Sequence, residues 1–197
     1  MSNQPPIGVP QGAIRLNTDS QKLEFYAQDR WYEMATDVPT LDGGARGTFH
    51  GGETPTRVDT MDFITISTQG NAIDFGNIST GVLRASSACS SNTRAIICSG
   101  EDGSTPRPVH LQFITFSSTG NTTDFGNLQT GRSQPAGGCN STRGLVSGGT
   151  DSNSTKLTNI ESVEIATTGN AVDFGEMGYG RNASMSASDS HGGLGGY

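Results

Sequence analysis

The sequence predicts an all-β fold built from a unit that repeats about every 50 residues. The sign of the repeat is the tripeptide Asp-Phe-Gly at residues 74–76, 124–126 and 173–175, preceded each time by a Gly-Asn pair. Gly contributes 28 of the 197 residues, and charged residues make up only 16%. A chain rich in Gly, Ser, Thr and Asn favours short strands and tight turns. No apolar pattern of helical period is long enough to predict a helix.

Four strands are predicted within one repeat. Residues 47–52 form a short first strand that ends in a glycine pair, and residues 62–67 alternate apolar and polar side chains as a half-buried strand does. The turn chemistry of residues 69–71 leads to a third strand at 72–75, and residues 84–90 supply a fourth strand of small side chains. Four antiparallel strands joined by tight turns describe one blade of a β-propeller.

Each blade has a predicted inner strand and a predicted anchor. Small side chains in the glycine-pair strand suit the crowded axis of a propeller, where strands of several blades converge. The Phe of each tripeptide lies further out and is predicted to pack between neighbouring blades. With a matching residue near the N-terminus, the anchors form a set of four: Phe25, Phe75, Phe125 and Phe174.

A fourth copy of the pattern is predicted at the N-terminus. Glu24 and Phe25 stand one repeat before Asp74 and Phe75. The strands predicted there have no glycine-pair strand before them, whereas residues 191–197 form such a strand with nothing after it. The sequence therefore predicts a four-bladed propeller closed by its N- and C-terminal strands, an arrangement that leaves no exposed sheet edge to aggregate.

The predicted domain boundaries follow from this repeat. Residues 1–45 are an N-terminal segment with three strands, at 13–17, 22–27 and 31–35, and residues 46–197 carry the repeats. The repeats and the closing strand span 46–93, 94–142, 143–190 and 191–197.

Charge and composition exclude several classes of function. The net charge is −7 and no basic cluster occurs, so we expect no binding of nucleic acid. No apolar run approaches the length of a membrane span, and we expect no membrane insertion. The N-terminus lacks the pattern of a signal peptide, which predicts synthesis in a cytoplasm. The three cysteines, Cys89, Cys98 and Cys139, are predicted to be small buried residues, and we expect neither a metal nor another cofactor.

The repeats resemble the kelch repeat. The residues that carry the resemblance are 63–76, Phe-Ile-Thr-Ile-Ser-Thr-Gln-Gly-Asn-Ala-Ile-Asp-Phe-Gly, which recur in three copies. Kelch blades typically have Tyr and Trp where these repeats have other residues and Phe. The repeats look more like kelch-like segments of structural proteins in tailed phages of aquatic bacteria. Residues 12–19, continuing through Lys22, Glu24, Tyr26 and Trp31, are similar to a module of phage fibre and appendage proteins.

This resemblance implies a non-enzymatic structural protein of a bacteriophage virion, made in the cytoplasm of the bacterial host. It implies a place in the tail, in a fibre or in the capsid decoration. The expected partners are other virion proteins, together with a glycan on the host surface if the protein takes part in attachment. The resemblance also implies a homo-oligomer, for which we expect a trimer.

Three cations recur at one place in the repeat. Arg57, Arg107 and Lys156 occupy equivalent positions in the loop after the glycine-pair strand. Equivalent loops lie on one face of a propeller, so these side chains are candidates for binding a sulfate, an acidic sugar or a carboxylate of a neighbouring protein. The alternative is three solvated loop cations.

Aromatic residues mark a second candidate surface. Trp31 and Tyr32 stand in the most aromatic part of the chain. Aromatic side chains are favoured at protein interfaces and on carbohydrate-binding surfaces, and the alternative is that they form the core of the closing blade.

No catalytic residue is predicted. Asp74, Asp124 and Asp173 recur with the fold, and a catalytic acid would not be duplicated in every blade. We therefore weigh two alternatives to a structural role. One is a carbohydrate-binding module that recognises host glycans. The other is a glycan-cleaving enzyme, which we disfavour because no unpaired acid pair stands out.

Overall fold

The computed structural model describes residues 8–18, 22–34, 45–81 and 83–188. All regular structure in these ranges is β-strand, which confirms the predicted all-β class. The chain divides into two compact units, Met1–Leu41 and Asp42–Tyr197.

The first unit contains one antiparallel sheet of three strands, named the N-terminal sheet. Its strands are β1 (Ile14–Asn17), β2 (Lys22–Ala27) and β3 (Arg30–Glu33), paired in chain order. These strands confirm the three that the sequence predicts in this segment.

The second unit contains three antiparallel sheets. Sheet 1 consists of β4 (Arg46–His50), β5 (Thr60–Thr65) and β6 (Ile73–Asn77). Sheet 2 consists of β7 (Ser87–Ser90), β8 (Arg94–Cys98), β9 (His110–Thr115) and β10 (Thr123–Asn127). Sheet 3 consists of β11 (Ala136–Cys139), β12 (Arg143–Ser147), β13 (Asn159–Glu164) and β14 (Val172–Glu176). Each sheet is a meander, and their repetition is consistent with a propeller-like arrangement.

The small-residue strand of each repeat belongs to the sheet that follows it. The sequence predicts that residues 84–90 complete the sheet of residues 46–93, but β7 pairs with β8, with Ser87 opposite Cys98. The assignment to the first repeat is therefore wrong. The reason is proximity along the chain, since only the short turn 91–93 separates β7 from β8, and consecutive strands joined by a tight turn form a hairpin.

The small-residue strands of sheets 2 and 3 lie close against each other. A Cβ on Gly137 of β11 would lie 2.6 Å from the carbonyl oxygen of Ala88 in β7. The Sγ of Cys139 donates to the carbonyl oxygen of Ser90 at 3.3 Å. Crowding also affects the glycine-pair strand, since a Cβ on Gly144 of β12 would collide with Cys89 Sγ of β7.

The two recurring motifs of the sequence are the two halves of one sheet-to-sheet joint. The Gly120 N–H donates to the Phe75 carbonyl oxygen at 2.7 Å, and the Asn77 N–H donates to Asn121 Oδ1 at 3.0 Å. Gly76, at a φ of 141°, leaves the space that the Gly120 backbone occupies, and a Cβ there would collide with it. The Gly-Asn turn of sheet 2 therefore docks on the Asp-Phe-Gly strand of sheet 1.

The same joint recurs between sheets 2 and 3. The Gly169 N–H donates to the Phe125 carbonyl oxygen at 2.8 Å, and the Asn127 N–H donates to Asn170 Oδ1 at 3.0 Å. This docking gives the recurring motifs a structural role at both joints.

Apolar side chains fill the two spaces between successive sheets. Sheets 1 and 2 enclose one buried cluster: Met61, Phe75, Ile78, Leu83, Ala95, Ile97 and Ile114. Sheets 2 and 3 enclose another: Cys89, Ile96, Cys98, Leu111, Phe125, Leu128, Val146, Val163, Ile165 and Ala171. Phe75 and Phe125 are thus buried anchors, as predicted. Phe174 and Phe25 are exposed, and the prediction of four equivalent anchors is wrong for them.

The N-terminal hairpin is not a copy of the repeat. In sheets 1, 2 and 3 the pairing shifts by one residue at the Phe of Asp-Phe-Gly. The pairing of β1 with β2 runs without a shift from Ile14 opposite Phe25 to Asn17 opposite Lys22. Tyr26 stands where the repeats have Gly, and its side chain is buried. The predicted fourth copy is therefore wrong in register. The predicted closing strand at 191–197 lies outside the described residues.

Candidate functional site

Five charged side chains form a cluster at the loops of sheets 1 and 2, named the loop cluster: Glu53, Arg57, Arg84, Glu101 and Arg107. Arg57 Nη2 lies 3.2 Å from Glu101 Oε1, and Arg107 Nη1 lies 3.4 Å from the same oxygen. Two of the three predicted cations therefore converge on one carboxylate that sequence analysis did not single out.

Arg84 connects the loop cluster to the strand that opens sheet 2. Its Nη2 lies 3.2 Å from Glu101 Oε1, and its Nη1 lies 2.6 Å from Glu53 Oε2. The hydrogen bond from Arg84 is the largest influence on Glu101 and holds the pKa of that carboxyl below its ordinary value. The carboxylate of Asp102 also interacts electrostatically with Arg57. Three guanidinium groups therefore face three carboxylates, and the loop cluster carries no positive excess.

The third predicted cation, Lys156, lies exposed in the corresponding loop of sheet 3. The backbone of Lys156 pairs with Thr150 as that of Arg57 pairs with Glu53. Between this loop and that of sheet 2 is a groove of about 460 Å³, lined by Asp102, Arg107, His110, Asp151 and neighbouring residues. Thr150 stands at the repeat position of Glu101, so this loop lacks the carboxylate on which the arginines converge.

Trp31 is packed into one face of the N-terminal sheet. Its ring lies 5.3 Å from that of Tyr26, and the guanidinium of Arg15 lies 4.2 Å from its ring centroid. Trp31 Nε1 is buried and has no hydrogen-bond partner among the described residues. The same face holds Glu24, whose pKa is lowered by hydrogen bonds from Asn17 and Arg15.

Tyr32 lies on the opposite face, because successive residues of a strand point to opposite sides. Its ring stacks on Phe25 at 5.4 Å, and the guanidinium of Arg30 lies 5.0 Å from its centroid. The structure therefore does not bring Trp31 and Tyr32 into one binding surface. The face of Tyr32 also carries exposed apolar side chains: Ile14, Leu16, Leu23 and Phe25.

Uncovered apolar faces also occur at both ends of the three-sheet stack. Phe49 of β4 and Ile66, which follows β5, are exposed on sheet 1. Phe174 is exposed on sheet 3, where it lines a cleft of about 420 Å³ with Leu145, Ile160, Met177 and the segment 186–188. Sequence analysis missed these faces, although the signal was present in the apolar residues that the first and last repeats share with the middle one.

Two of the three cysteines take part in packing. Cys89 and Cys98 are buried with their Sγ atoms 4.0 Å apart, while Cys139 is only half-buried. The contact with Cys98 and burial raise the pKa of the Cys89 thiol. In the part of the chain that the structure describes, no group of three His, Cys, Asp or Glu side chains is placed to hold a metal ion. Nor do the described residues include a helix of the length and hydrophobicity that crossing a membrane requires.

No protein-family model matches the chain, and none of the curated proteins matches it.

Proposed function

We propose that this chain is a non-enzymatic structural protein of a tailed-phage virion that acts through contacts with other proteins. One observation carries the proposal: in both compact units, sheets expose large apolar side chains to solvent. Large apolar patches on a folded protein mark surfaces that another protein covers. The resemblance of the repeats and of residues 12–31 to phage appendage proteins supplies the setting, a tail, fibre or capsid decoration.

The experiment that tests this role is imaging of virions labelled with an antibody to the chain. Labelled particles from the phage that encodes the chain support a virion component, and the position of the label assigns it to head, neck, tail or fibre. Purified virions without label, from cells in which the chain is produced, contradict the proposal.

The finer architecture belongs to the same proposal. Sheets 1, 2 and 3 are consecutive blades of a kelch-like propeller, and a ring of such blades requires further sheet structure to cover both ends. In one closure, predicted from the sequence, residues 191–197 and the N-terminal strands supply a fourth blade. The register of β1 and β2 gives this closure no support, since it lacks the shift found in each repeat. In another closure, a second copy supplies the missing sheets.

Deletion of residues 191–197 tests the four-bladed closure. That closure predicts a loss of several kcal/mol in the free energy of unfolding, or aggregation, because a ladder is removed and edges are exposed. A truncated chain that melts at the temperature of the full chain contradicts it.

A carbohydrate-binding module is the second candidate. The observation in its favour is the exposed Tyr32 face, where an aromatic ring, Phe25 and Arg30 adjoin. A glycan array separates this function from a purely structural one, with Tyr32→Ala as the variant that abolishes binding and Trp31, on the other face, left intact. Release of reducing ends from host polysaccharide would instead reveal a glycan-cleaving enzyme.

A further inference from the structure

Each sheet of the second unit has two different faces. The front face of a sheet packs on the preceding sheet, as Ile97 and Ile114 of sheet 2 pack on sheet 1. The rear face packs on the following sheet, as Leu111 and Phe125 of sheet 2 pack on sheet 3. At both joints, therefore, the earlier sheet contributes its rear face and the following sheet contributes its front face.

The front face of sheet 1 is uncovered. Phe49 is 57% exposed, whereas Ile97, at the same place in sheet 2, is 1% exposed. Ile66, directly after β5, is 66% exposed, whereas Ile165, at the same place after β13, is 1% exposed. Because the side chains are apolar where their equivalents are buried, this face is built to receive the rear face of another sheet.

The rear face of sheet 3 is only partly covered. The segment 186–188 lies along β11, where Ser186 Oγ and Ser188 Oγ donate to the carbonyl oxygens of Gly137 and Cys139. Phe174 is 50% exposed, whereas Phe125 is 3% exposed. Ile160 and Met177 line the cleft beside Phe174, at the places of Leu111 and Leu128, which are buried between sheets 2 and 3. This face has the side chains of a joint, but the described residues include no sheet that completes it.

A charged pair gives the match its specificity. Between sheets 2 and 3, the guanidinium of Arg132 binds the carboxylate of Glu161 and donates to the Gly148 carbonyl oxygen at 3.0 Å, and both side chains are buried. Arg181 occupies the place of Arg132 on the rear side of sheet 3, and Asp62 occupies the place of Glu161 on the front of sheet 1. Both are exposed, and they carry the opposite charges that a third such joint requires.

The equivalence of Arg181 to Arg132 is supported by the backbone. The Gly149 N–H donates to the Arg181 carbonyl oxygen at 2.9 Å, as the Gly52 N–H donates to that of Leu83 at 2.8 Å. A residue with positive φ stands two places later in all three repeats, at Ala85, Gln134 and Ala183.

Arginines recur at a second repeat position, at Arg46, Arg94 and Arg143. The first two also bind across the joints, and the last of them has no following sheet among the described residues. Arg46 of sheet 1 donates to the carbonyl oxygen of Phe116 in the turn of sheet 2. Arg94 of sheet 2 donates to the carbonyl oxygens of Ile165 and Ala166 in the turn after β13, each at 3.0 Å. Arg143 of sheet 3 is exposed, and the equivalent acceptor is the carbonyl oxygen of Ile66 on sheet 1.

We infer that a second copy of this chain covers both faces: the rear face of sheet 3 in each copy receives the front face of sheet 1 of the other. The contact pairs Arg181 with Asp62, Arg143 with the Ile66 carbonyl oxygen, and the Phe174 strand with the turn at Gly70. Two such head-to-tail contacts close a ring, since a heterologous contact either closes or grows into a filament.

The number of copies follows from the number of sheets. Among the described residues, the second unit of each copy supplies three sheets, and propellers typically have about four to eight blades. Two copies give six blades, whereas the trimer expected from the resemblance would give nine. This inference rests on the proposed propeller architecture, and its ring is a dimer.

Charge reversal in the full-length chain tests the ring. We expect the parent protein at micromolar concentration to have twice the 20.5 kDa mass of one chain, measured by light scattering. Arg181→Glu alone places two carboxylates in each contact, and Asp62→Arg alone places two guanidinium groups there. Each single variant should be a monomer with the circular dichroism spectrum of the parent. Asp124→Arg, which changes an exposed carboxylate on the middle sheet, is the matched control and should remain a dimer.

Mixing the two single variants distinguishes this ring from any other dimer. One contact of the mixed dimer joins the two substituted side chains, whose charges are again opposite. The other contact joins the native Arg181 to the native Asp62, so the mixture should recover the dimer mass. A monomeric or trimeric parent, single variants that stay dimeric, or a mixture that stays monomeric overturns the inference. None of these outcomes bears on the labelling of virions, so the ring and the virion role fail separately.

Discussion

The joint between sheets 1 and 2 and the joint between sheets 2 and 3 share one backbone design but differ in their buried polar groups. Both use a Gly-Asn turn docked on an Asp-Phe-Gly strand. In the first joint, Gln112 is held by Thr80, Thr122 and the Ser79 N–H, and Leu83 fills the adjoining apolar place.

In the second joint, a buried ion pair takes those two places. Arg132 stands where the first joint has Leu83, and Glu161 stands where it has Gln112. The Gln129 N–H donates to Glu161 Oε2 at 2.7 Å, as the Ser79 N–H donates to Gln112. The difference teaches that the backbone docking sets the repeat, while the buried side chains vary provided that their polar atoms are satisfied.

The largest expected effect comes from breaking the charged joint. Glu161→Ala leaves the Arg132 guanidinium buried without its counter-ion, and we expect the free energy of unfolding to fall by about 3–5 kcal/mol. Gln112→Ala, its counterpart in the neutral joint, should cost about 1–3 kcal/mol, because only neutral hydrogen bonds are lost. Urea unfolding measures both. Equal losses at the two sites would contradict the distinction between the joints.

A double variant sharpens the same comparison. Arg132→Leu with Glu161→Gln gives the second joint the side chains that the first joint has at Leu83 and Gln112. Because a buried ion pair is often replaceable by neutral groups without net loss, the double variant should be much more stable than Glu161→Ala alone. A double variant as unstable as the single one would show that the two joints are not interchangeable.

The next effect compares a covered anchor with an uncovered one. Phe125→Ala removes a buried ring between sheets 2 and 3 and should cost about 3–5 kcal/mol. Phe174→Ala removes the equivalent ring where no described sheet covers it and should cost clearly less in the isolated monomer. Thermal unfolding of Arg181→Glu with and without each Phe substitution gives this comparison in a monomeric background. A similar loss at both positions would mean that Phe174 is covered in solution within a single chain.

A smaller, pH-dependent effect separates sheet 1 from its neighbours. His50 stands where sheet 2 has Cys98, and burial lowers its pKa from 6.5 to about 4. A buried neutral histidine favours the folded state above pH 6.5, so stability falls as the pH drops from 6.5 through about 4, by no more than about 3 kcal/mol. His50→Cys, which copies sheet 2, should flatten the fall. Parallel curves for parent and variant across this range would contradict the assignment.

The smallest expected effect concerns the loop cations. Arg57→Ser, Arg107→Ser and Lys156→Ser together should weaken attachment to an anionic partner and reduce its dependence on salt. Arg57 and Arg107 are partly buried against Glu101, so we also expect a modest loss of stability, about 1 kcal/mol for each pair broken. Lys156→Ser alone is the matched control for folding. Binding to virion or host that is unchanged in the triple variant would reduce these residues to structural loop positions.

Sequence patterns predicted most of the strands because the signals of a strand, alternating side chains and flanking turn residues, lie within a few residues of one another. Alternating side chains mark β5, β9 and β13, and a turn of Gly and Asn precedes β6, β10 and β14. The same patterns predicted that Arg57 and Arg107 share a face. They gave no sign of Glu101 as their common partner, because that contact depends on how two loops of different repeats are brought together.

What the sequence determined by itself was the repeat, its strands and the residues that recur at each joint. Tertiary structure decided which sheet a strand joins, as with the small-residue strand Ser87–Ser90, and which recurring residues are covered, as with Phe125 but not Phe174. It also decided that the N-terminal hairpin, despite its matching residues, lacks the register shift of the repeat. The physical reason is that side-chain period and turn chemistry act over a few residues, whereas hydrogen-bond partners and burial depend on segments far apart in the chain.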